Sequence, residues 1–323
     1  MTMKARNTRP LPGETVPAST ASERGRTPSA PVRVAVVGAT GFIGSATVRA
    51  LASAGIPCTA VARTPLNPDI PGVLSAQADL TDPASLGSAL TGADVVIHAA
   101  SYTGSDPAQC TAVNVGGTGN LLAAARTGSR VLYVSTIGVY GAGPHSGIGE
   151  FDATPAPVSA LSASRLTAEH RVLASGGCVV RPGFVHGPGD RWFVPGFIRI
   201  LETLGAWVDE GRSRISVVAV ADLARLLATL APQASAHSGD VFHACHPDPV
   251  TVRELGRALA DSGRLRLPDN SLTFDDAVAA GTRHGLTDRH LDLIGRDHWY
   301  DPTCLLAATG ATFGHGPLAG LPA

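Results

Sequence analysis

"VRVAVVGATGFIGSATVRALASAG", residues 32–55, decides the fold. It opens with a near-continuous apolar run rich in valine, turns through glycines, and continues as an alanine-rich pattern ending at Gly55. A short apolar run bounded by a turn reads as a strand buried on both faces, and the pattern after it as a helix. Gly38, Gly41 and Gly44 stand three residues apart across the join. That context aims backbone N–H groups and the positive end of the helix dipole at an anion, while the missing side chains let a pyrophosphate approach the backbone. The loop "GATGFIG", with Thr40, Phe42 and Ile43 between its glycines, is therefore read as a dinucleotide site.

The next strand, "IPCTAVAR", bears on which dinucleotide. An NAD site expects an acidic residue about twenty positions beyond the loop to hold the ribose 2′-hydroxyl. From Gly38 through Pro68 there is no Asp or Glu, and the strand ends in Arg63, whose guanidinium suits a 2′-phosphate. NADPH is the expected cofactor, with NADH as the alternative.

Working outward, "GVLSAQADL", "ADVVIHAA", "RVLYVSTIGVYG" and "GGCVVRPGFVHGPG" read as further strands, with helical stretches between them such as "VNVGGTGNLLAAARTG". Strands alternating with helices predict an α/β fold, a Rossmann-type doubly wound parallel sheet covered on both faces. Beyond about Gly183 the pattern loosens. The expected organisation is a disordered tail over 1–31, a dinucleotide-binding portion over 32–182, and a smaller, mainly substrate-binding portion over 183–323.

Composition narrows the partners. Lys+Arg number 25 against Asp+Glu 26, for a net charge of −1, which points away from nucleic acid and from an anionic membrane surface and toward a small molecule. Residues 1–31 are rich in Pro, Ser, Thr and Arg and lack an apolar core, so they read as neither a secretory signal nor a membrane segment. Five scattered cysteines with no CxxC pair suit reduced thiols in a cytoplasmic protein. "FHACHPD" brings His243, Cys245 and His246 together without a further ligand cluster, so no metal is expected.

Taken together, these residues resemble an extended short-chain dehydrogenase/reductase, the superfamily that includes NAD-dependent epimerases and dehydratases. Several motifs from Val32 to Asp222 carry the resemblance. Beside the glycine loop, "ADLTD" resembles the segment near adenine, which implies that role for Asp79 and Leu80. "VIHAAS" resembles the strand end passing the cofactor ribose, with His98, Ala99, Ala100 and then Ser101, the last expected toward substrate. "NVGGTGNLL" matches the Asn-bearing helix through Asn114. "VSTIGVYG" places the catalytic Ser or Thr at Thr136, and "VVRPGFVHGPG" places Pro182 and Gly183 beside the nicotinamide.

In such enzymes a Tyr-x-x-x-Lys pair follows on the next helix, within a pattern like Tyr-x-x-Ser-Lys-Leu-x-x-Glu. Here "LSASRLTAE" preserves Ser164, Leu166 and Glu169, which fixes the register and puts Leu161 at the tyrosine and Arg165 at the lysine. The resemblance implies that the tyrosine donates a proton as hydride arrives. Leu161 has no proton to give; Arg165 can still bond the nicotinamide ribose, but it stays protonated at neutral pH.

A substrate can supply the missing proton when its ketone is flanked by a phenolic hydroxyl, and Leu161 then offers apolar surface to a flat ligand. This is similar to an atypical branch of the family that reduces ketones of aromatic polyketides, implying an angucyclinone-type substrate in antibiotic tailoring. Two other readings stand beside it: a sugar-nucleotide 4-ketoreductase, whose C-terminal half often contains a segment like "DHWYD", and a non-catalytic NADP sensor like the NmrA-like regulators. His186, in the loop beside the nicotinamide, is expected toward substrate, with a proton carrier and an idle loop imidazole as its two readings. Trp192 either lines the substrate cleft or packs. Relatives often dimerise through helices like the one bearing Leu161, so a homodimer is expected.

Overall fold

Seven parallel strands make the central sheet. They are β1 (Val34–Val37), β2 (Cys58–Ala62), β3 (Val73–Gln77), β4 (Val95–His98), β5 (Arg130–Val134), β6 (Cys178–Pro182) and β7 (Val241–Ala244), in the order β7-β6-β5-β4-β1-β2-β3. The computed structural model describes residues 32–64 and 69–321, so the tail expected over 1–31 lies outside the described residues. Every residue of β1 and β4 is buried, as parallel strands covered on both faces require. One face packs Leu51, Leu132, Leu223 and Leu227, the other Leu86, Leu121, Tyr133 and Val172.

Local chemistry sets the helix limits. The helix Phe42–Ser53 starts on Gly41 and stops before Gly55, whose φ of +68° takes the chain out of helical geometry. The helix Ala160–Ala174 begins with a reciprocal cap, Ser159 and Ser162 each bonding the other's backbone N–H. The Asn-bearing helix is not uniform: Cys110–Gly116 winds as a π-helix before Gly117–Ala124 becomes α-helical. Such wide turns cluster at functional sites, and this one carries Asn114.

A second layer sits at the carboxyl end of the sheet. Four short strands, in the order Val250–Thr251, Arg214–Ile215, His298–Tyr300 and His145–Ile148, pack with a separate core that includes Phe197, Trp207, Leu255 and Leu291. The chain crosses residue 182 in building the sheet. The helix Val220–Leu230 returns to pack on Phe42–Ser53 through Val220, Ala224 and Ala46, and β7 pairs with β6. Without β7, β6 would be left as an open sheet edge, and from Val32 onward the chain forms one compact unit. Among the described residues no helix is long and apolar enough to cross a membrane.

Candidate active site

The glycine loop joins β1 to its helix where the strand order reverses, the crevice in which open parallel sheets bind ligands. Gly38 has φ +91°, and a Cβ there would lie 2.7 Å from the Ala100 backbone nitrogen; on Gly44 it would lie 2.1 Å from the Gly38 carbonyl oxygen. The loops after β1 and β4 thus meet backbone to backbone, an approach that side chains would block. No side chain caps the helix and no acidic residue stands in its first turn. The N–H groups of Phe42, Ile43 and Gly44, which have no partner within the helix, are left as donors for an anion, with Thr40 exposed beside them. The cradle fits a pyrophosphate.

At the adenine end Arg63 is exposed beyond β2, and its backbone carbonyl accepts a hydrogen bond from Gln77 Nε2 at 3.0 Å. Asp79 accepts from the Thr81 N–H at 2.8 Å and the Thr81 hydroxyl at 2.7 Å. Those bonds, with the nearby Arg63 charge, outweigh burial and hold its carboxyl below the usual range. Leu80 is buried, its carbonyl receiving Asn120 Nδ2 at 2.8 Å.

Toward the nicotinamide end, Arg165 donates to Ser101 Oγ at 3.0 Å and to the Val134 carbonyl, and lies over the Tyr133 ring. Its Nε is buried without a partner among the described residues. Asn114 organises the surroundings: it accepts from the Tyr102 N–H at 2.8 Å and donates to Ser164 Oγ at 2.9 Å. Ala99 and Ala100 follow β4 beside Gly38, and Pro182 ends β6, buried. His98 is sealed against Thr118 at 3.0 Å; burial, then the Arg165 charge, push its imidazole down to about 3, so it stays neutral.

Next to this cleft lies a cavity of about 1200 Å³, roomier than the roughly 300–1000 Å³ usual for small-molecule sites. Thr136, Leu161, Gly183 and Phe184 line it on the sheet side, and Trp192, 67% exposed, stands at its rim. Thr136 Oγ1 accepts from the Gly138 N–H at 3.0 Å, which leaves its own hydroxyl proton free to donate into the cavity. The far wall brings Phe274, Asp292, Arg296, His298 and Tyr300. Asp292 accepts from His298 Nε2 at 2.9 Å and from the Gly143 N–H at 3.2 Å. Burial works to raise its carboxyl, but the His298 hydrogen bond and charge, Gly143 and Arg296 together bring it below the usual range.

Residues 34–245 match the model of the NAD dependent epimerase/dehydratase family. The chain belongs to this family. It is 30% identical over 264 residues, 77% of its own length and 78% of the relative's, to a 4-hydroxy-2-methyl-3-oxo-4-farnesyl-3,4-dihydroquinoline-1-oxide ketoreductase of Stigmatella aurantiaca. Over 277 residues, 76% of this chain and 86% of the relative, it is 31% identical to a dTDP-4-dehydrorhamnose reductase of Mycobacterium tuberculosis. Its fold is similar to that of MoeE5 in complex with UDP-glucuronic acid and NAD, with a TM-score of 0.69 at 25% identity, covering 90% of this chain and 97% of that one. As a member of this nicotinamide-dependent family, and like those reductases, the chain is an oxidoreductase.

Against the family pattern, the structure brings Thr136, Leu161 and Trp192 together around one cavity but separates two other expected substrate contacts. Ser101 is turned to Arg165 and Asn114, and the cavity edge is reached by Thr103–Ser105 instead. His186 is fully buried in a strand paired with Val217–Ala219, its Nε2 on the Pro317 carbonyl at 2.9 Å. Burial outweighs that bond and the Asp190 and Asp222 charges, so its imidazole titrates below the usual range. Facing inward, it has no path to substrate.

Phe184, Asp292 and His298 were not anticipated. The one signal was "DHWYD", which contains His298, yet nothing in the sequence places it opposite residues more than a hundred positions earlier. His243 bonds the Tyr140 hydroxyl at 2.7 Å, and among the described residues no three His, Cys, Asp or Glu side chains gather as a metal site.

Proposed function

We propose that this chain is an NADPH-dependent ketoreductase acting on a ketone of an aromatic polyketide of the angucyclinone type, in antibiotic tailoring, with the substrate's own phenolic hydroxyl as proton donor. The observation that carries the reading is Leu161: where the family has its acid, the cavity has an aliphatic wall. When bound, NADPH supplies a hydride.

The chain's residues do the rest. The glycine loop holds the pyrophosphate, Arg63 the 2′-phosphate, and Arg165 the nicotinamide ribose. Thr136 donates a hydrogen bond to the ketone oxygen, and Leu161 and Phe184 exclude water and press on a flat ring system. The Stigmatella relative supports the ketone half of this reading, because its name describes a 3-oxo group on a fused ring.

A sugar nucleotide suits the cavity less well. Its diphosphate would meet Asp275, Asp288 and Asp292 alongside Arg289 and Arg296. Arg296 is already engaged with the Gly143 carbonyl and the Phe274 ring.

The test follows NADPH absorbance with paired aryl ketones that carry either a neighbouring hydroxyl or its methyl ether. Oxidation of NADPH by the hydroxylated members is expected. Tight NADPH binding with no oxidation by any of them would favour the sensor reading.

Two variants probe the contacts. Arg63→Asp is expected to weaken NADPH about 10–100-fold, the cost of losing a charge-assisted pair, and to reverse the preference toward NADH; an unchanged preference removes Arg63 from the site. Leu161→Ala should raise KM about tenfold through lost apolar contact while kcat changes less. A collapse of kcat at constant KM would contradict the wall role.

A further inference from the structure

Most polar groups around the cavity are already spoken for. The Tyr300 hydroxyl meets His145 Nδ1 at 3.1 Å, Ser159 Oγ caps its helix, and the Thr136 hydroxyl is assigned to the ketone oxygen. His298 differs. Its ring lines the cavity while the residue is only 6% exposed. Its Nε2 faces the Asp292 carboxylate at 2.9 Å, and a carboxylate that stays ionised can only accept, so Nε2 carries a proton. Asp292 is itself fixed, both of its oxygens taking the Gly143 N–H at 3.2 Å. The imidazole is braced edge-on by Phe184 at 6.4 Å and by His145 at 5.5 Å. What remains is Nδ1, with no hydrogen bond among the described residues, on a ring packed against the aromatic side chain next to Gly183.

We propose that His298, oriented by Asp292, binds the phenolic hydroxyl beside the substrate ketone and returns a proton to it during turnover, an inference that rests on the functional reading above. The proton balance is as follows. As the carbonyl carbon takes hydride, the phenol O–H bond breaks and an O–H bond forms on the former carbonyl oxygen, giving a secondary alcohol and a phenolate. The phenolate oxygen then takes the Nδ1 proton of a doubly protonated His298. The neutral imidazole that remains keeps its Nε2 proton on Asp292 and regains the other from water. Asp292 is a positioning residue, because it acts only through the imidazole.

The test uses binding as well as turnover, with 1-hydroxyanthraquinone and 1-methoxyanthraquinone as probes, titrated by absorbance into the full chain. Wild type should bind the hydroxy compound about tenfold more tightly, because the methyl group of the ether holds its oxygen away from the Nδ1 proton and one hydrogen bond to a charged partner is lost. His298→Gln should erase that difference with NADPH affinity unchanged, which shows that the variant is folded. Asp292→Asn should reduce it in the same direction. Added imidazole should partly restore kcat in a His298→Ala variant, which a merely structural role would not allow. A hydroxyl preference that survives His298→Gln overturns the inference and leaves the functional reading standing. If neither probe binds wild type and no hydroxylated ketone is reduced, the functional reading fails and the inference with it.

Discussion

Gly44→Ala is expected to weaken NADPH binding at least about 100-fold and to lower the melting temperature. The added methyl would sit 2.1 Å from the Gly38 carbonyl oxygen, 2.8 Å from its carbon and 3.3 Å from the Ala39 Cα. All three are backbone atoms, so no rotamer change relieves the clash. Nor can the loop retreat, since Gly38 is itself pressed against the Ala100 backbone. The helix must lift from the loop, and a displacement near 1 Å at a positioning group typically costs about 10²-fold.

Overpacking of this kind usually costs about 1–3 kcal/mol, a drop of roughly 2–12 °C for a domain of this size. Gly87→Ala is the control. A Cβ there meets nothing within 4 Å, on a helix interior, where alanine is worth up to about 1 kcal/mol over glycine. If Gly44→Ala binds NADPH as wild type does, the loop is not the pyrophosphate cradle.

How far the site could be read in advance depended on whether the decisive contact was local. The run Val34–Val37 and the three glycines form a strand, a turn and a helix start within one short segment, so their roles follow from spacing alone. The register on the Leu161 helix also holds for a visible reason. Ser164 takes the Asn114 amide at 2.9 Å, and Glu169 forms a buried ion pair with Arg181 at 2.6 Å, so the preserved residues are the ones that fix the helix to its neighbours. Leu161 and Arg165 change against that fixed frame.

Elsewhere the deciding partner was distant. His186 lies in a stretch that looks like a loop, but pairing with Ala219 makes it the last residue of a strand and turns it inward. β7 was missed because it is short and mixes His243 into an apolar run, a pattern that only pairing with β6 turns into a strand. The far wall is tertiary throughout: His298 reaches the cavity because its strand is held between Arg214–Ile215 and His145–Ile148. Strand order of that kind leaves no periodic trace in the chain.

Rebuilding the family pair, Leu161→Tyr with Arg165→Lys, is expected to raise kcat for ketones that lack a neighbouring hydroxyl by about 10²–10⁴-fold, the range of a well-placed general acid. Position 161 already faces the cavity beside Thr136, and a tyrosine there would present its hydroxyl where the carbonyl oxygen accepts from Thr136. Lysine one turn on would place a cation nearby and lower the phenol's pKa, since an adjacent positive charge favours the ionised form. Hydroxylated ketones should gain little, because they already carry an acid, and the new ring takes space from the apolar wall. The diagnostic quantity is therefore the ratio of kcat for a hydroxylated ketone to that for its methyl ether, large in wild type and near unity in the double variant. A wild type that turns over both ketones equally well would show that the proton never came from the substrate. The acid would then have to be a residue of the cavity itself.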